Sequence, residues 1–276
     1  MRRKWEAIYQ QAEYDDFRLI KIYKPFNISL MSEVLVVQID NRPRGRYLTS
    51  KELTLPPRCD DRGIIKEINE GLTNKLDFWS VASLINEYKC DELGWNYIWH
   101  KTEQNERHVT WNKVKGLTEI LLNTDERIIL FLDSDAWIRD QLRLREIIRE
   151  FEMGYAKLLF AHEPEIRYNT KVSTGCIAMK NDREVADFWK RVWEEPTINT
   201  KFHQYLYEWC HEQRIVDEIL SRNSFKNVTI FPADILNSPC GSVVRHCWWK
   251  EFCWELVIDE LFVLLCRQLK HSSKIS

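Results

Sequence analysis

Arg127-Ile128-Ile129-Leu130-Phe131-Leu132-Asp133-Ser134-Asp135-Ala136-Trp137-Ile138 is the stretch on which the fold turns. Ile128 to Leu132 form an unbroken apolar run bounded by charge. That is how a strand reads when helices cover both faces of a parallel sheet. Two carboxylates follow at once, at i and i+2. If the backbone turns there, both face one small volume, as a hard divalent cation requires, and coordination positions remain for phosphate oxygens. The same pair could instead start a turn or cap a following helix.

Working outward, Val34-Leu35-Val36-Val37-Gln38-Ile39-Asp40 is a second β-branched apolar run and reads as the first central strand. Ser80–Gly94 reads as helix, Trp95–His100 as extended and Lys113–Leu122 as helix. Downstream, Gln141–Met153 reads as helix, Lys157–Ala161 as strand, Val172–Lys180 as a strand interrupted at Gly175, and Arg183–Glu194 as helix. A long helix is expected over roughly Phe202–Ser221, and a last strand over Asn227–Phe231. This alternation predicts an α/β fold, a mixed but mostly parallel central sheet flanked by helices, with ligands at the carboxyl ends of the strands. The whole chain, 1–276, reads as one domain. Residues 1–30 form an N-terminal helical extension, 31–250 the core and 251–276 a C-terminal amphipathic helix. The charged, Pro-containing stretch Asn41–Asp77 reads as loop, placed to act as a lid.

The 276 residues carry 40 Lys+Arg against 42 Asp+Glu, a formal charge of −2, which argues against a nucleic-acid binder that tracks phosphates. With 44% hydrophobic and 30% charged residues the chain has the composition of a folded globular protein. No apolar run reaches the roughly 18–20 residues of a membrane span, and Met1-Arg2-Arg3-Lys4-Trp5-Glu6 leads into charged sequence rather than a signal-peptide core. The expectation is therefore a cytoplasmic protein with no transmembrane segment. No pair among the eight cysteines has the two-residue gap of a zinc knuckle, so they read as free thiols, mostly buried. The twelve tryptophans suit a core together with a site that stacks flat ligands such as nucleobases and sugar rings.

Three blocks in order sharpen this reading. Trp111-Asn112-Lys113-Val114 precedes Asp133-Ser134-Asp135-Ala136; Val172-Ser173-Thr174-Gly175-Cys176-Ile177-Ala178-Met179-Lys180-Asn181 leads to Val185-Ala186-Asp187-Phe188-Trp189; and Trp209-Cys210-His211-Glu212-Gln213 follows. Together they resemble the galactosyl- and xylosyltransferase family of GT-A fold, over roughly Trp95 to Lys250.

The resemblance implies a metal-dependent glycosyltransferase that moves a sugar from a nucleotide-sugar donor, UDP favoured, to a glycan acceptor. It implies that Asp133 and Asp135, with Ser134 between them, hold Mn²⁺ or Mg²⁺ on the donor diphosphate, and that His246 supplies a third ligand. Lys250 and Arg245 would pair with phosphates, and Lys113 would reach them from the preceding helix. Asn41 and Arg42 would seat the nucleoside, with Trp111, Gly175 and Gln213 completing the donor site. Glu212 or Asp217 would be the catalytic carboxylate, with His162 and Glu163 in reserve. The sequence departs from the family in lacking its His-x-x-Gly-x-x-Lys spacing, since Gly241 precedes the His. Two rivals remain: a haloacid-dehalogenase-like phosphatase using the same Asp133/Asp135 pair, although Trp137 stands where that motif has Thr or Val, and a non-catalytic carbohydrate-binding protein.

Overall fold

The computed structural model describes residues 33–42, 44, 77–103, 106–164, 169–222, 224–248, 256–261 and 263–264. The expected extension over 1–30, Lys250, and nearly all of the Asn41–Asp77 loop lie outside the described residues. The elements below belong to the compact unit formed by Ile28–Arg44 and Phe78–Ser276.

In chain order these are β1 (Val34–Asp40), α1 (Phe78–Leu93), β2 (Asn96–Lys101), α2 (Asn112–Ile120), β3 (Ile128–Leu132), β4 (Ala136–Ile138), α3 (Gln141–Met153), β5 (Leu158–His162), β6 (Val172–Lys180), α4 (Arg183–Ile198), α5 (His211–Ser221), β7 (Val228–Phe231), α6 (Ala233–Leu236) and β8 (Val244–His246). Short 3₁₀ turns at Val109–Trp111 and Thr200–Leu206 lead into α2 and toward α5.

Six strands form one sheet in the order β2-β1-β3-β6-β5-β7. All neighbours pair in parallel except at β6, which runs antiparallel to both β3 and β5. The mostly parallel sheet follows from strands that are apolar on both faces. Along β1, Leu35, Val37 and Ile39 join one cluster with Trp111 and Leu117 of the α2 region, Trp189 of α4 and Ile215 of α5. Val34 and Val36 join the other, with Cys90 of α1 and Leu144, Ile148 and Phe151 of α3. Neighbouring residues point to opposite faces, so the sheet is buried twice over, each large side chain contributing roughly 1.5–3 kcal/mol.

Asp140 and Asp182 cap α3 and α4, each accepting a hydrogen bond from the backbone N–H three residues on. At the C-terminal end, residues 256–261 are helical and bury Val257, Ile258 and Leu261, the spacing of an apolar stripe. Among the described residues no helix is long and apolar enough to cross a membrane. Of the described cysteines, Cys90, Cys176 and Cys247 are buried, Cys210 is half-buried and Cys240 is exposed.

Two elements differ from the sequence reading. The single helix over Phe202–Ser221 is a 3₁₀ turn, a break after Leu206 and then α5, because His211 takes a left-handed conformation (φ 49°) that no continuous helix accommodates. And β6 is continuous through Gly175; what breaks there is its pairing with β5, whose register jumps from Phe160↔Ile177 to Ala161↔Ser173. The bulge frees the Thr174–Cys176 stretch from β5 while Leu132 still pairs with Cys176 on the other side.

Candidate active site

Parallel pairing brings the carboxyl ends of β1, β3 and β5 to one edge of the sheet, where the antiparallel β6 begins. Asp133 follows the last residue of β3, and its N–H donates to the Gly175 carbonyl at 2.8 Å, extending the β3–β6 pairing by one bond. The chain then turns, Ala136 N–H returning to the Asp133 carbonyl at 2.9 Å, and enters β4. β4 pairs with β8 in the register Ala136↔His246, and Cys247 N–H donates to the Asp135 carbonyl at 3.1 Å. A residue more than a hundred positions away thus meets the turn.

Asp133, Asp135 and His246 offer ligand atoms that all lie within 4.8 Å of one another. His246 Nε2 is 3.1 Å from Asp135 Oδ1 and 3.6 Å from Asp133 Oδ2. The imidazole is fixed on its far side, where Nδ1 lies 2.6 Å from Asn237 Oδ1. The Asn237 amide nitrogen donates to the His162 carbonyl, so its oxygen faces the ring; the Trp248 indole N–H also points at Nδ1, at 3.0 Å, and these two partners orient the imidazole with Nε2 turned to the two carboxylates. Gly175 makes room for this ring: a Cβ built there would lie 2.1 Å from His246 Cε1 and 2.2 Å from Nδ1. Two carboxylates, an imidazole nitrogen and a cradle only glycine leaves open fit a divalent cation. Burial lowers the affinity of His246 for a proton, but Asp135 and Asp133 outweigh it and raise its pKa.

On the other side of Asp133 sits Lys113, nearly buried, with Nζ 2.7 Å from Asp133 Oδ1 and 3.2 Å from Glu212 Oε1. Burial alone would depress the ammonium; the two carboxylates more than reverse this and hold it protonated. Glu212, in the first turn of α5, also accepts from Thr174 Oγ1 at 2.9 Å, while its Oε2 is buried without a hydrogen-bond partner. Gln213 beside it donates to Glu163 and Thr170, and its oxygen accepts from Thr174 N–H. Asp217 lies farther along α5, accepting from Lys171 N–H at 2.8 Å. His162 is exposed at the end of β5.

At the end of β1, Arg42 grips Asp40 and reaches Ser134 Oγ at 2.8 Å, with its guanidinium 4.0 Å over the Trp79 ring. Burial would raise the Asp40 carboxyl, yet the bonds from Arg42 bring it below the usual range. Asn41 is half-buried next to it. The structure therefore brings together Arg42, Lys113, Asp133, Ser134, Asp135, Gly175, Glu212, Gln213 and His246. Trp111 is different. It is wholly buried, its indole N–H bonded to the Tyr205 carbonyl, and its surroundings are those of a core residue. Arg245 alternates to the opposite face of β8 from His246, where Arg139 and Glu260 are its charged neighbours.

Sequence reasoning missed Gln38, Tyr97 and Asn86. Gln38 is the one polar side chain in mid-strand β1; its amide donates to the carbonyls of Asp133 (2.9 Å) and Ala136 (3.2 Å). Asn86 donates to Ala136 O and accepts from Ile138 N–H. The available signal was an amide interrupting an otherwise apolar run.

No protein-family model matches the chain, and no curated protein matches it in sequence. Solved structures do. A glycosyltransferase involved in the glycosylation of the major capsid of PBCV-1 superimposes with a TM-score of 0.55 at 12% identity, over 80% of this chain and 98% of that one. The fold is one that a glycosyltransferase uses. The glycosyltransferase GlyE of Streptococcus pneumoniae TIGR4 is more distant, with a TM-score of 0.42 at 10% identity over 84% of this chain and 63% of that one.

Proposed function

We propose that the chain is a metal-dependent glycosyltransferase that moves a sugar from a nucleotide-sugar donor, UDP favoured, to a glycan acceptor. The observation that carries this reading is the Asp133/Asp135/His246 cluster at the carboxyl edge of a mostly parallel sheet, in a fold shared with a glycosyltransferase. A bound Mn²⁺ or Mg²⁺ would supply Lewis-acid stabilisation of the charge that grows on the diphosphate as it leaves.

The chain's own residues do the rest. Arg42 and Ser134, linked across 2.8 Å at the ends of β1 and β3, lie where the nucleoside and first phosphate would rest, with Trp79 stacked behind the guanidinium. Lys113 holds Asp133 and Glu212 in one charged array, so neither carboxylate drifts as the metal site fills. In the transfer itself the anomeric C–O bond to the diphosphate breaks, its electron pair leaving with the diphosphate, while an acceptor hydroxyl oxygen bonds to the anomeric carbon and its proton passes to a base, the carboxylate in a direct displacement or the departing diphosphate oxygen otherwise. Glu212 is the carboxylate we assign to the sugar, since one oxygen is held by Lys113 and Thr174 and the other has no protein partner.

The rivals gain nothing from the geometry. Neither a phosphatase built on Asp133 nor a binding module requires a histidine brought from β8 onto a glycine cradle.

The test is Mn²⁺-dependent release of nucleoside diphosphate from a panel of nucleotide sugars, with Asp135→Asn beside the parent protein. We expect turnover of at least one donor, and loss of both Mn²⁺ binding and turnover in the variant with its fold intact. Calorimetry showing the same Mn²⁺ and UDP affinity in Asp135→Asn would remove the metal from the account.

A further inference from the structure

We infer that Gln38 and Asn86 are positioning residues that set the metal affinity of the Asp133–Asp135 turn, through a buried chain of hydrogen bonds that ends on Ser83. The inference rests on the metal reading above and goes beyond it, because neither amide touches a ligand atom of the cluster.

Each end of the turn is held by an amide with no exposed surface. Gln38 uses its two N–H groups on the Asp133 and Ala136 carbonyls, the first and last residues of the tetrapeptide that carries both carboxylates. The orientation of this amide is fixed from behind, since Tyr97 Oη donates to Gln38 Oε1 at 2.7 Å and lies 2.6 Å from Ser83 Oγ, which must then donate to it. Burial raises the Tyr97 pKa and keeps the phenol protonated as a donor. Asn86 grips the next segment, donating to Ala136 O at 2.9 Å and accepting from Ile138 N–H at 2.8 Å. One turn further along α1, Lys89 donates to the Arg139 carbonyl and pairs with Glu260. The Ala136 carbonyl therefore accepts from two side-chain amides.

An apolar side chain would fill the position of Gln38 in a strand that is otherwise valine, leucine and isoleucine up to its last residue, Asp40, and a buried amide is tolerated only when its partners are met. Here all its partners lie on the turn and on Tyr97. Asp133 and Asp135 must converge with His246 to within a few tenths of an ångström, and a two-residue spacing on a loop does not achieve that alone. Fixing the two carbonyls fixes the peptide planes between them, and so the directions of both carboxylates. Groups of this kind, one bond behind the ligands, typically change metal affinity by about 10–100-fold when lost.

The experiment measures Mn²⁺ affinity by electron paramagnetic resonance at a temperature where circular dichroism shows every variant folded. Gln38→Met keeps the shape and removes all three bonds; Asn86→Asp keeps the acceptor and removes the donor; Tyr97→Phe removes only the outer link. Val192→Ala, in the core on the opposite face of the sheet, is the control for softening without contact to the turn. We expect Gln38→Met and Asn86→Asp to weaken Mn²⁺ binding about tenfold or more, Tyr97→Phe to weaken it less, and Val192→Ala to lower the melting temperature with Mn²⁺ affinity unchanged. Parent-like Mn²⁺ affinity in folded Gln38→Met and Asn86→Asp overturns the inference, as does an equal loss in Val192→Ala. If Gln38→Met does not fold, Asn86→Asp and Tyr97→Phe decide the matter by the same readout. A parent protein that binds no Mn²⁺ fails at the metal reading itself, an outcome distinct from a parent that binds and variants that match it.

Discussion

Two short segments supply Asp133, Asp135 and Glu212, and they are held by different forces. The Asp133–Ile138 turn is fixed by directional bonds: Gln38 and Asn86 hold its carbonyls, and β8 closes over it through Cys247 N–H. The segment that delivers Glu212 is fixed by rings. His211 stacks on His108 with centroids 3.8 Å apart and planes within 4°, and the exposed Trp209 stands edge-on to it at 5.6 Å. His211 also keeps a positive φ of 49°, a conformation costing of the order of 1–3 kcal/mol that its packing must overcome. Hydrogen bonds set the angles a metal site needs. Stacking sets the distance of the backbone before α5, and the Glu212 side chain is then held by Lys113 and Thr174.

The largest separation between the two segments should appear on removing the charge of Glu212. Glu212→Gln is expected to cost about 10²–10⁴ in kcat while Mn²⁺ and UDP affinity stay near the parent values, because Lys113 still pairs with Asp133. Asp217→Asn should leave turnover close to normal, since an asparagine oxygen still accepts from Lys171 N–H. Side-by-side kcat and donor affinity decide it. Near-normal turnover in Glu212→Gln would move the search to Glu163, which shares the Gln213 bond.

The converse change strikes the metal side alone. Gly175→Ala would set a methyl group 2.1 Å from His246 Cε1, and neither β6 nor the ring bonded to Asn237 has room to yield. Mn²⁺ affinity should fall by roughly 10–100-fold, with the helix content by circular dichroism unchanged. Parent-like Mn²⁺ binding would show that His246 is not a ligand.

These contrasts also explain what was legible in the sequence. The six strands of the main sheet, most of the helices and the carboxylate pair were readable because each depends on neighbours within a few positions: β3 is apolar throughout and Asp133 and Asp135 follow it directly. His246 was reachable only through family resemblance, since its place beside Asp135 is created by β4–β8 pairing across more than a hundred residues. Gln38 left only the trace of an amide inside an apolar run, which does not say what it bonds, and Asn86 looks locally like any polar residue on a helix. The break before α5 was missed for a related reason: the left-handed backbone of His211 is met by a tertiary stack on His108, a partner about a hundred residues away that no local pattern announces. Trp111 shows the reverse case, a motif residue that the fold buries wholly in the core.

The stacked side should also reveal itself in acid. Burial, then the neighbouring His108, lowers the His211 pKa to about 4, against the pull of Glu212 and its bond to the Tyr205 carbonyl; Lys113 adds to the lowering. Unfolded, the imidazole titrates near 6.5, so below that pH the unfolded chain binds a proton that the folded one refuses. Stability contributed by neutral His211 is therefore present above about pH 6.5 and lost as the pH falls toward 4, by roughly 2–3 kcal/mol in all. Urea midpoints at pH 7 and pH 5 measure this, and His211→Asn, which tolerates the left-handed backbone, should flatten the difference. An equal acid loss in the asparagine variant would assign it to other groups.

The smallest effect expected is that of His108→Ala, and it distinguishes packing from charge. Losing the stacked ring should cost about 1 kcal/mol at pH 7, the range for an aromatic pair beyond its buried area. His108 is also one of the causes that depress His211, both as a neighbouring charge and as a cover from water. Without it the His211 pKa rises toward its unfolded value, so less stability remains to be lost on acidification. The variant should be weaker than the parent at pH 7 yet lose less between pH 7 and pH 5, and the two stability curves should converge. Because the Asp133–Ile138 turn has no part in this stack, Mn²⁺ affinity at pH 7 should not change. Parallel curves would mean that His108 acts on His211 by contact area alone, and a fall in Mn²⁺ affinity would mean that the stacked and hydrogen-bonded segments are coupled.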